Sequence, residues 1–134
     1  MTNERILLAR KLRQVLIDFS PVIETYTDAV CPACADICCK QRFTVRNETD
    51  LQYLSALNAP VPSIDPARPP DALCQFLGPT GCIQPRWMRP WRCTWYFCEP
   101  LLTVILAEPR KKTIELEAFT GEILRLRNEL LTRR

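Results

Sequence analysis

The chain has 134 residues with a formal net charge of +3, and it contains 12 prolines, eight cysteines and no histidine. Such a length suits one domain, residues 1–134, with a core large enough to fold without disulfides. No apolar run is long enough to span a membrane or to form a signal-peptide core. We therefore expect a protein of the reducing cytoplasm, where grouped cysteines are metal ligands or redox groups more often than structural disulfides.

The first predicted element is a helix over residues 4–19, capped by the side-chain oxygen of Thr2 or Asn3. Its apolar residues recur at helical spacing on one stripe. These are Leu8, Leu12, Val15 and Phe19. Because proline disfavours helix in the residue before it, Ser20-Pro21 is predicted to end the helix, and residues 22–30 form a connector without a clear period.

The middle of the chain predicts short and irregular elements. Residues 42–46 alternate polar and apolar and predict a short strand. Thr49 or Asp50 begins a short helix with three leucines on one face, and the proline-rich stretch 59–70 predicts a stiff, extended loop. Residues 73–83 predict a hairpin around the Gly78-Pro79-Thr80-Gly81 turn. Antiparallel pairing there would bring Cys74 close to Cys82.

Two helices are predicted after an irregular stretch, residues 84–92. The first covers residues 93–107 and is kinked or split at Pro100, and the second begins at Pro109 and covers residues 109–132. Apolar residues of the last helix follow a heptad-like spacing. They are Leu116, Phe119, Ile123, Leu126 and Leu130. This seam is expected to pack on the first helix, whereas an exposed seam would be a homodimer interface. The predicted fold is mostly α with irregular loops and a short β-hairpin, a small α+β domain bracketed by terminal helices.

The cysteines dominate the sequence between residues 31 and 98. Four lie within nine residues, in the run Cys31-Pro-Ala-Cys34-Ala-Asp-Ile-Cys38-Cys39, and the other four follow singly. All eight are candidate metal ligands: Cys31, Cys34, Cys38, Cys39, Cys74, Cys82, Cys93 and Cys98. Thiolate ligands without histidine select zinc, copper(I) or an iron–sulfur cluster over calcium or magnesium. Eight are enough for two closed zinc sites, or for an iron–sulfur cluster and a second centre.

Spacing restricts how these ligands are shared. A helical turn or a tight turn would place Cys31, Cys34 and Cys38 on one side. Adjacent helical side chains point about 100° apart, so Cys38 and Cys39 are not expected to bind one mononuclear ion. They indicate two metals, a bridging arrangement, or a ligand beside a working thiol. The alternatives are cysteines that serve as small buried apolar residues and disulfides in an oxidising compartment.

The cysteine pattern resembles a known bacterial family. It reads Cys31-x2-Cys34-x3-Cys38-Cys39, then Cys74-Gln-Phe-Leu, Gly81-Cys82, Arg89-Pro90-x2-Cys93 and Cys98. This order is similar to that of the zinc- or iron-chelating domains with a C-x2-C-x3-C-C signature, and a related pattern occurs in flagellin lysine methylases. The resemblance implies that all eight cysteines are metal ligands, and it covers residues 31–98.

Basic and aromatic residues surround the cysteines. Lys40, Arg42, Arg86, Arg89 and Arg92 flank them and would favour thiolates, unless they are ordinary solvated charges. The run 86–92 also resembles surfaces that stack single-stranded nucleic acid, although tryptophans beside a metal site more often shield it from solvent. The sequence thus predicts a metal-binding protein with one or two all-cysteine centres. The alternatives are an iron–sulfur enzyme or electron-transfer protein, possibly related to methyl transfer, and a zinc module that binds nucleic acid or protein. The sequence does not decide whether the protein is an enzyme.

Overall fold

The computed structural model describes residues 2–132; Met1, Arg133 and Arg134, at the ends of the predicted domain, lie outside it. The described part is mostly helical with one short hairpin, which confirms the predicted fold class. Its helices are α1 (Asn3–Val30), α2 (Glu48–Ala56), α3 (Trp91–Trp95), α4 (Glu99–Leu106) and α5 (Arg110–Thr132), and its strands are β1 (Leu77–Gly78) and β2 (Gly81–Cys82). Within residues 2–132, no helix is both long and apolar enough to cross a membrane.

Helix α1 is much longer than predicted. The hydroxyl of Thr2 accepts a hydrogen bond from the Arg5 amide and caps the helix as expected. The predicted end at Ser20-Pro21 is wrong, because the helix continues through Pro21 to Val30. Proline in a helix interior loses one hydrogen bond and strains the preceding turn. Burial of Ile23 and Tyr26 beyond it offsets that cost, since both pack into the core.

The core lies between α1 and α5, as the two apolar stripes predicted. The rings of Phe19 and Phe119 have centroids 5.5 Å apart, and Leu12 and Leu130 line one small cavity. These contacts show that the two helices run antiparallel. The heptad-like seam of α5 is therefore packed within the chain, with Leu116, Ile123, Leu126 and Leu130 all buried.

Between the terminal helices, some predicted elements are confirmed and others are wrong. The predicted strand at 42–46 is wrong, because Gln41–Thr44 form a turn of 3₁₀-helix whose last hydroxyl donates to the Gln41 carbonyl. The short helix α2 is confirmed, although its cap is Asn47, whose side chain accepts from the Asp50 amide. Residues 59–70 contain no helix or strand, as expected.

The hairpin is confirmed at the predicted turn, although its strands are shorter than the predicted residues 73–83, and the split helix is confirmed. Leu77 pairs with Cys82 and Gly78 with Gly81, and Gly81 has φ +139°, a conformation that side chains rarely adopt. The predicted helix 93–107 is divided into α3 and α4 by residues 96–98, and Pro100 lies in the first turn of α4. The irregular stretch 84–92 contains a 3₁₀ turn, Arg86–Met88.

Tyr53 provides a test of how α2 packs against the core. Its hydroxyl is buried and has no hydrogen-bond partner within residues 2–132, and burial raises its pKa well above the usual value. Replacing Tyr53→Phe removes an unsatisfied polar group, so we expect the free energy of unfolding to rise by about 1 kcal/mol. Urea titration measures the change, and Tyr96→Phe, at an exposed position, serves as the control. A clear loss of stability in Tyr53→Phe would contradict this packing.

Candidate metal centre

The structure gathers the predicted ligands from five separate parts of the chain. Seven of the eight cysteines line one cavity of about 280 Å³, the exception being Cys34. Cys34 interacts with Cys98 and Cys38, so it adjoins the same cluster. None of the eight forms a disulfide, and seven are half-buried while Cys93 is exposed. The cavity therefore concentrates thiols to a degree that ordinary packing does not require.

Backbone pairing places Cys39 opposite Cys74. The amide of Cys74 donates to the carbonyl of Cys39 at 2.9 Å, and the amide of Gln41 donates to Ala72 at 2.9 Å. Lys40 and Leu73 form the antiparallel bridge between these two bonds. Cys39 is thus fixed to a segment that follows it by more than thirty residues, whereas Cys38 lies outside this pairing.

Cys82 and Cys93 complete the surroundings of Cys74. The hairpin returns the chain so that Cys82 interacts with Cys74, and both act on Cys93. The Phe76 amide donates to the Cys74 sulfur at 3.4 Å, a contact that favours the thiolate. Helix α3, which carries Cys93, is anchored because Asp50 accepts from the Trp91 amide at 3.1 Å. We call Cys39, Cys74, Cys82 and Cys93 the arginine-side group, for reasons given below.

The other four cysteines meet where α1 ends. Cys31 is the C-terminal cap of α1, and a 3₁₀ turn follows in which the Cys34 amide donates to the Cys31 carbonyl at 3.3 Å. This is the tight turn that the sequence predicted as one of two arrangements. Cys98 comes from the opposite side as the N-terminal cap of α4, and it interacts with Cys31, Cys34 and Cys38. We call Cys31, Cys34, Cys38 and Cys98 the helix-end group.

Hydrogen bonds between thiols connect the two groups. The Cys39 side chain donates to Cys38, which lowers the pKa of Cys38 to about 6 and raises that of Cys39 far above its usual value. A side-chain hydrogen bond between Cys98 and Cys38 also lowers the Cys38 pKa, and Arg92 has the same effect. The interaction between these two side chains therefore favours the thiolate at Cys38 and the protonated thiol at Cys39.

The pKa values of several other cysteines in the cluster are raised. Burial and then neighbouring thiols raise the pKa of Cys31 and Cys34, and burial raises that of Cys74. Cys93 is exposed to the cavity, but the cavity walls desolvate it and, with Cys82 and Cys74, raise its pKa to about 11. Several thiolates so close together repel one another, so the cluster is unfavourable as a set of anions without a cation.

The described donor side chains are not arranged as a coordination sphere. Within residues 2–132, no three cysteine, aspartate or glutamate side chains are close enough together to hold a metal ion. The kind of donor fits a thiophilic metal, because all eight donors are sulfur and seven of them line one cavity. Binding an ion would require the side chains to move toward it.

Three arginines lie near the arginine-side group, and two of them, Arg86 and Arg89, line the cavity. Arg86 is 5% exposed, and its Nε donates to the Ser20 hydroxyl. Arg89 donates to the carbonyls of Gln84 and Cys82 at 3.0 and 3.2 Å, and Arg46 donates to the Gln84 side chain and the Met88 carbonyl at 2.9 and 2.7 Å. Arg46 and Arg86 interact with the thiols of Cys82 and Cys93, and Arg89 interacts with that of Cys93.

These guanidinium groups outnumber the acids beside them. Glu24 lies 4.0 Å from Arg89 Nη2 and is partly exposed, and Asp50 acts on Arg46 but also on Arg127. Burial, together with the charge of Arg89, lowers the pKa of Arg86 to about 10. Buried cations are stable when an anion compensates them. The arrangement therefore favours a negatively charged group in the cavity.

The two tryptophans of the basic run contact the protein's own arginines. The guanidinium of Arg13 lies 5.5 Å from the centre of the Trp87 ring, and that of Arg127 lies 4.4 Å from Trp91. Both rings also pack against the core. A nucleic-acid base would have to displace these arginines to stack on the covered faces, so these contacts argue against the use of Trp87 and Trp91 as a stacking platform.

Several residues that build the site were not identified from the sequence. Arg46 lies in the misassigned strand segment, and nothing in its spacing from a cysteine marks it. Gln41 is buried and its side chain accepts from the amide of Gln75 at 2.9 Å, which holds the residue directly after Cys74. Asp50 takes part in the cap of α2 and also accepts a hydrogen bond from the Trp91 amide. Its part in the cap could be predicted, since it lies three residues after Asn47. Its bond to Trp91 depends on the tertiary fold.

Comparisons with known proteins add no family to this description. No family model, no curated protein and no solved structure matches the chain. The resemblance to the zinc- or iron-chelating domains therefore stays a prediction based on the order of the cysteines.

Proposed function

We propose that the chain is a metal-binding domain in which two groups of four cysteines each bind one thiophilic ion, with zinc as the first candidate. The helix-end group supplies four thiolates to one ion and the arginine-side group supplies four to the other. On this proposal Cys38 and Cys39, adjacent in the chain, bind different ions. The metals stabilise the middle of the domain.

The observation that carries this proposal is the distribution of buried residues. Residues 27–53 and 57–100, which hold every cysteine, contain no fully buried aliphatic or aromatic side chain, and Pro90 is their one buried apolar residue. The remaining buried residues there are polar: Gln41, Thr44, Gln84, Arg86 and Thr94. Hydrophobic burial is the main stabilising term in an ordinary domain. These segments have less of this stabilisation than the terminal helices, because their apolar residues, such as Trp87 and Trp91, are only partly buried against the core. A structural zinc supplies roughly 10–16 kcal/mol.

Charge complementarity supports the same proposal. Four thiolates around a divalent ion carry two negative charges, which Arg46, Arg86 and Arg89 would compensate in the arginine-side group. Burial, and after it repulsion from neighbouring thiolates, raises the pKa of Cys31, Cys34 and Cys93, and a bound cation would offset both effects. Metal binding should therefore release protons near neutral pH.

Metal content tests the proposal directly. The chain, prepared without air and dialysed against zinc, is expected to retain two zinc ions, as measured by elemental analysis. Cys39→Ser and Cys34→Ser are each expected to lose one ion, because each removes a ligand from a different group. Ala35→Ser, which places a serine beside Cys34 without removing a thiol, should keep both. Unchanged content in Cys39→Ser would overturn the assignment of all eight ligands.

The size of the cavity favours a second candidate. Four sulfurs packed around one zinc leave little room between them, whereas the cavity that seven cysteines and other side chains line here has a volume of about 280 Å³. An iron–sulfur cluster would use more of that space and would make the protein an electron carrier or an enzyme, which agrees with the pattern shared with flagellin lysine methylases. A brown, sulfide-containing sample that bleaches in air would identify this candidate, and a colourless air-stable zinc protein would reject it.

The proposal also bears on location and partners. Eight reduced thiols persist in the cytoplasm, where disulfides are rare, so we propose a cytoplasmic protein whose main partner is the metal ion. The α5 seam faces α1, and a homodimer through the terminal helices would need a different surface from the predicted one.

A further inference from the structure

The two groups of cysteines lie in opposite electrostatic surroundings. Permanent positive charges adjoin the arginine-side group, where Arg89 is hydrogen-bonded to the carbonyl of Cys82 itself. Negative charges adjoin the helix-end group: the exposed Asp28 lies three residues before Cys31 and lines the same cavity, and the exposed Asp36 lies two residues after Cys34. Arg92 acts on both Cys38 and Cys93, so it does not distinguish the groups.

The ends of helices add to this contrast. Cys31 caps the C-terminus of α1, a helix of 28 residues whose last carbonyls carry partial negative charge. The final turn of α1 contains no basic residue that would offset it. Cys98 caps the N-terminus of the much shorter α4, and the positive end of α4 compensates in part. The helix-end group nevertheless lies beside the carboxylates of Asp28 and Asp36, and no buried arginine in the described part of the chain lies beside this group alone.

Charge decides how firmly a tetrathiolate centre is held. Such a centre with a divalent ion is an anion, so neighbouring cations stabilise it and neighbouring carboxylates destabilise it. The effect is larger for the arginine-side group, because Arg86 and the side chain of Arg89 are buried, at 5% and 10% exposure, and are only weakly screened by salt.

We propose that the two metal centres are unequal: the arginine-side group holds a permanent ion, and the helix-end group holds an exchangeable one. This inference rests on the proposed function, since it presumes that both groups bind metal. It assigns to one chain a stabilising centre and a second centre that gives up its ion when a competing ligand is present.

Zinc release tests the inequality. The chain is loaded with two equivalents of zinc without air and challenged with an excess of the chelating dye 4-(2-pyridylazo)resorcinol, whose colour reports free zinc. We expect two phases of equal amplitude that differ in rate by at least about ten-fold. Cys34→Ser should retain one ion and show the slow phase alone. Cys74→Ser should retain one ion and show the fast phase alone.

A charge variant tests whether the faster release of zinc is caused by the nearby carboxylates or by solvent exposure of the site. Asp28→Asn with Asp36→Asn removes the two carboxylates and no thiol, and it should slow the fast phase several-fold while the slow phase keeps its rate. Glu115→Gln with Glu117→Gln, two exposed acids on α5, is the matched control and should change neither phase. Should Cys74→Ser fail to fold, the Cys34→Ser and charge variants still decide the question.

The possible outcomes distinguish the inequality of the two centres from the proposed function, which is that both groups bind metal. A wild-type chain that binds no zinc overturns the proposed function and this inference together. Two bound ions released in a single phase overturn the inequality alone. A slow phase that survives in Cys74→Ser and disappears in Cys34→Ser reverses the assignment, and a fast phase insensitive to the aspartate substitutions rejects its electrostatic cause.

Discussion

Removal of zinc from the loaded protein is expected to abolish amide protection in residues 31–45 and 73–98 while the helices α1 and α5 remain protected. On the proposed function these first two segments would depend on the metal, because their aliphatic and aromatic side chains, Trp87 and Trp91 among them, are at most partly buried. The loss of roughly 10–16 kcal/mol of binding free energy exceeds what their hydrogen bonds supply. The terminal helices keep their own apolar contact, including Phe19 against Phe119.

Hydrogen exchange followed by mass spectrometry measures this effect. The amides of Cys74 and Gln41, which join the two cysteine segments, should lose protection on chelation, and that of Ile123 in α5 should keep it. Restoring zinc should restore protection, whereas magnesium should not, because thiolates select softer ions. Protection that is equal with and without zinc throughout residues 31–98 would contradict a structural role for the metal.

The second large effect is expected from Phe19→Ala. Phe19 is fully buried at 0% exposure, its ring faces Phe119, and the guanidinium of Arg86 lies 5.8 Å from its centre. Replacing it leaves a cavity between α1 and α5 and should lower the free energy of unfolding by about 3–5 kcal/mol. Because Arg86 also loses its neighbour, retention of the ion in the arginine-side group should fall as well.

Urea titration at a fixed excess of zinc gives the free energy, and zinc release gives the second effect. Ile17→Ala is the control, since Ile17 lies on the same helix but is 43% exposed, and its substitution should change stability by about 0.5 kcal/mol or less. Equal losses in the two variants would mean that the α1–α5 contact is not the centre of the core.

The terminal helices could be predicted because their apolar period agrees with their burial. In α5, the heptad-like spacing identified the buried face, and in α1 the same reasoning identified Leu8, Leu12 and Phe19. The prediction that α1 ends at Pro21 was wrong, because the local preference of proline is weaker here than the free energy of burying the residues that follow it. Ile23 and Tyr26, which follow the proline, belong to the core and stabilise the helix across it.

The irregular middle could be predicted only in part. The loop 59–70 and the hairpin follow from proline and glycine chemistry, which is local. The segment 41–44 adopts its 3₁₀ turn because residues 39–42 pair with residues 70–74, a partner that periodicity does not reveal. The same pairing places Cys39 beside Cys74, so the division of the cysteines into two groups could not be derived from their spacing.

The antiparallel contact between α1 and α5 also constrains how the chain folds. Phe19 and Phe119 are roughly 100 residues apart. Closing a loop of that length costs conformational entropy, and the favourable free energy of the contact is gained only after the loop has closed. An ion bound by Cys31 and Cys98 would cross-link the chain and leave only about a third of that loop to close. The entropic cost would fall by about 1 kcal/mol, so a chain that binds metal before its terminal helices meet should fold faster than one that binds it afterwards.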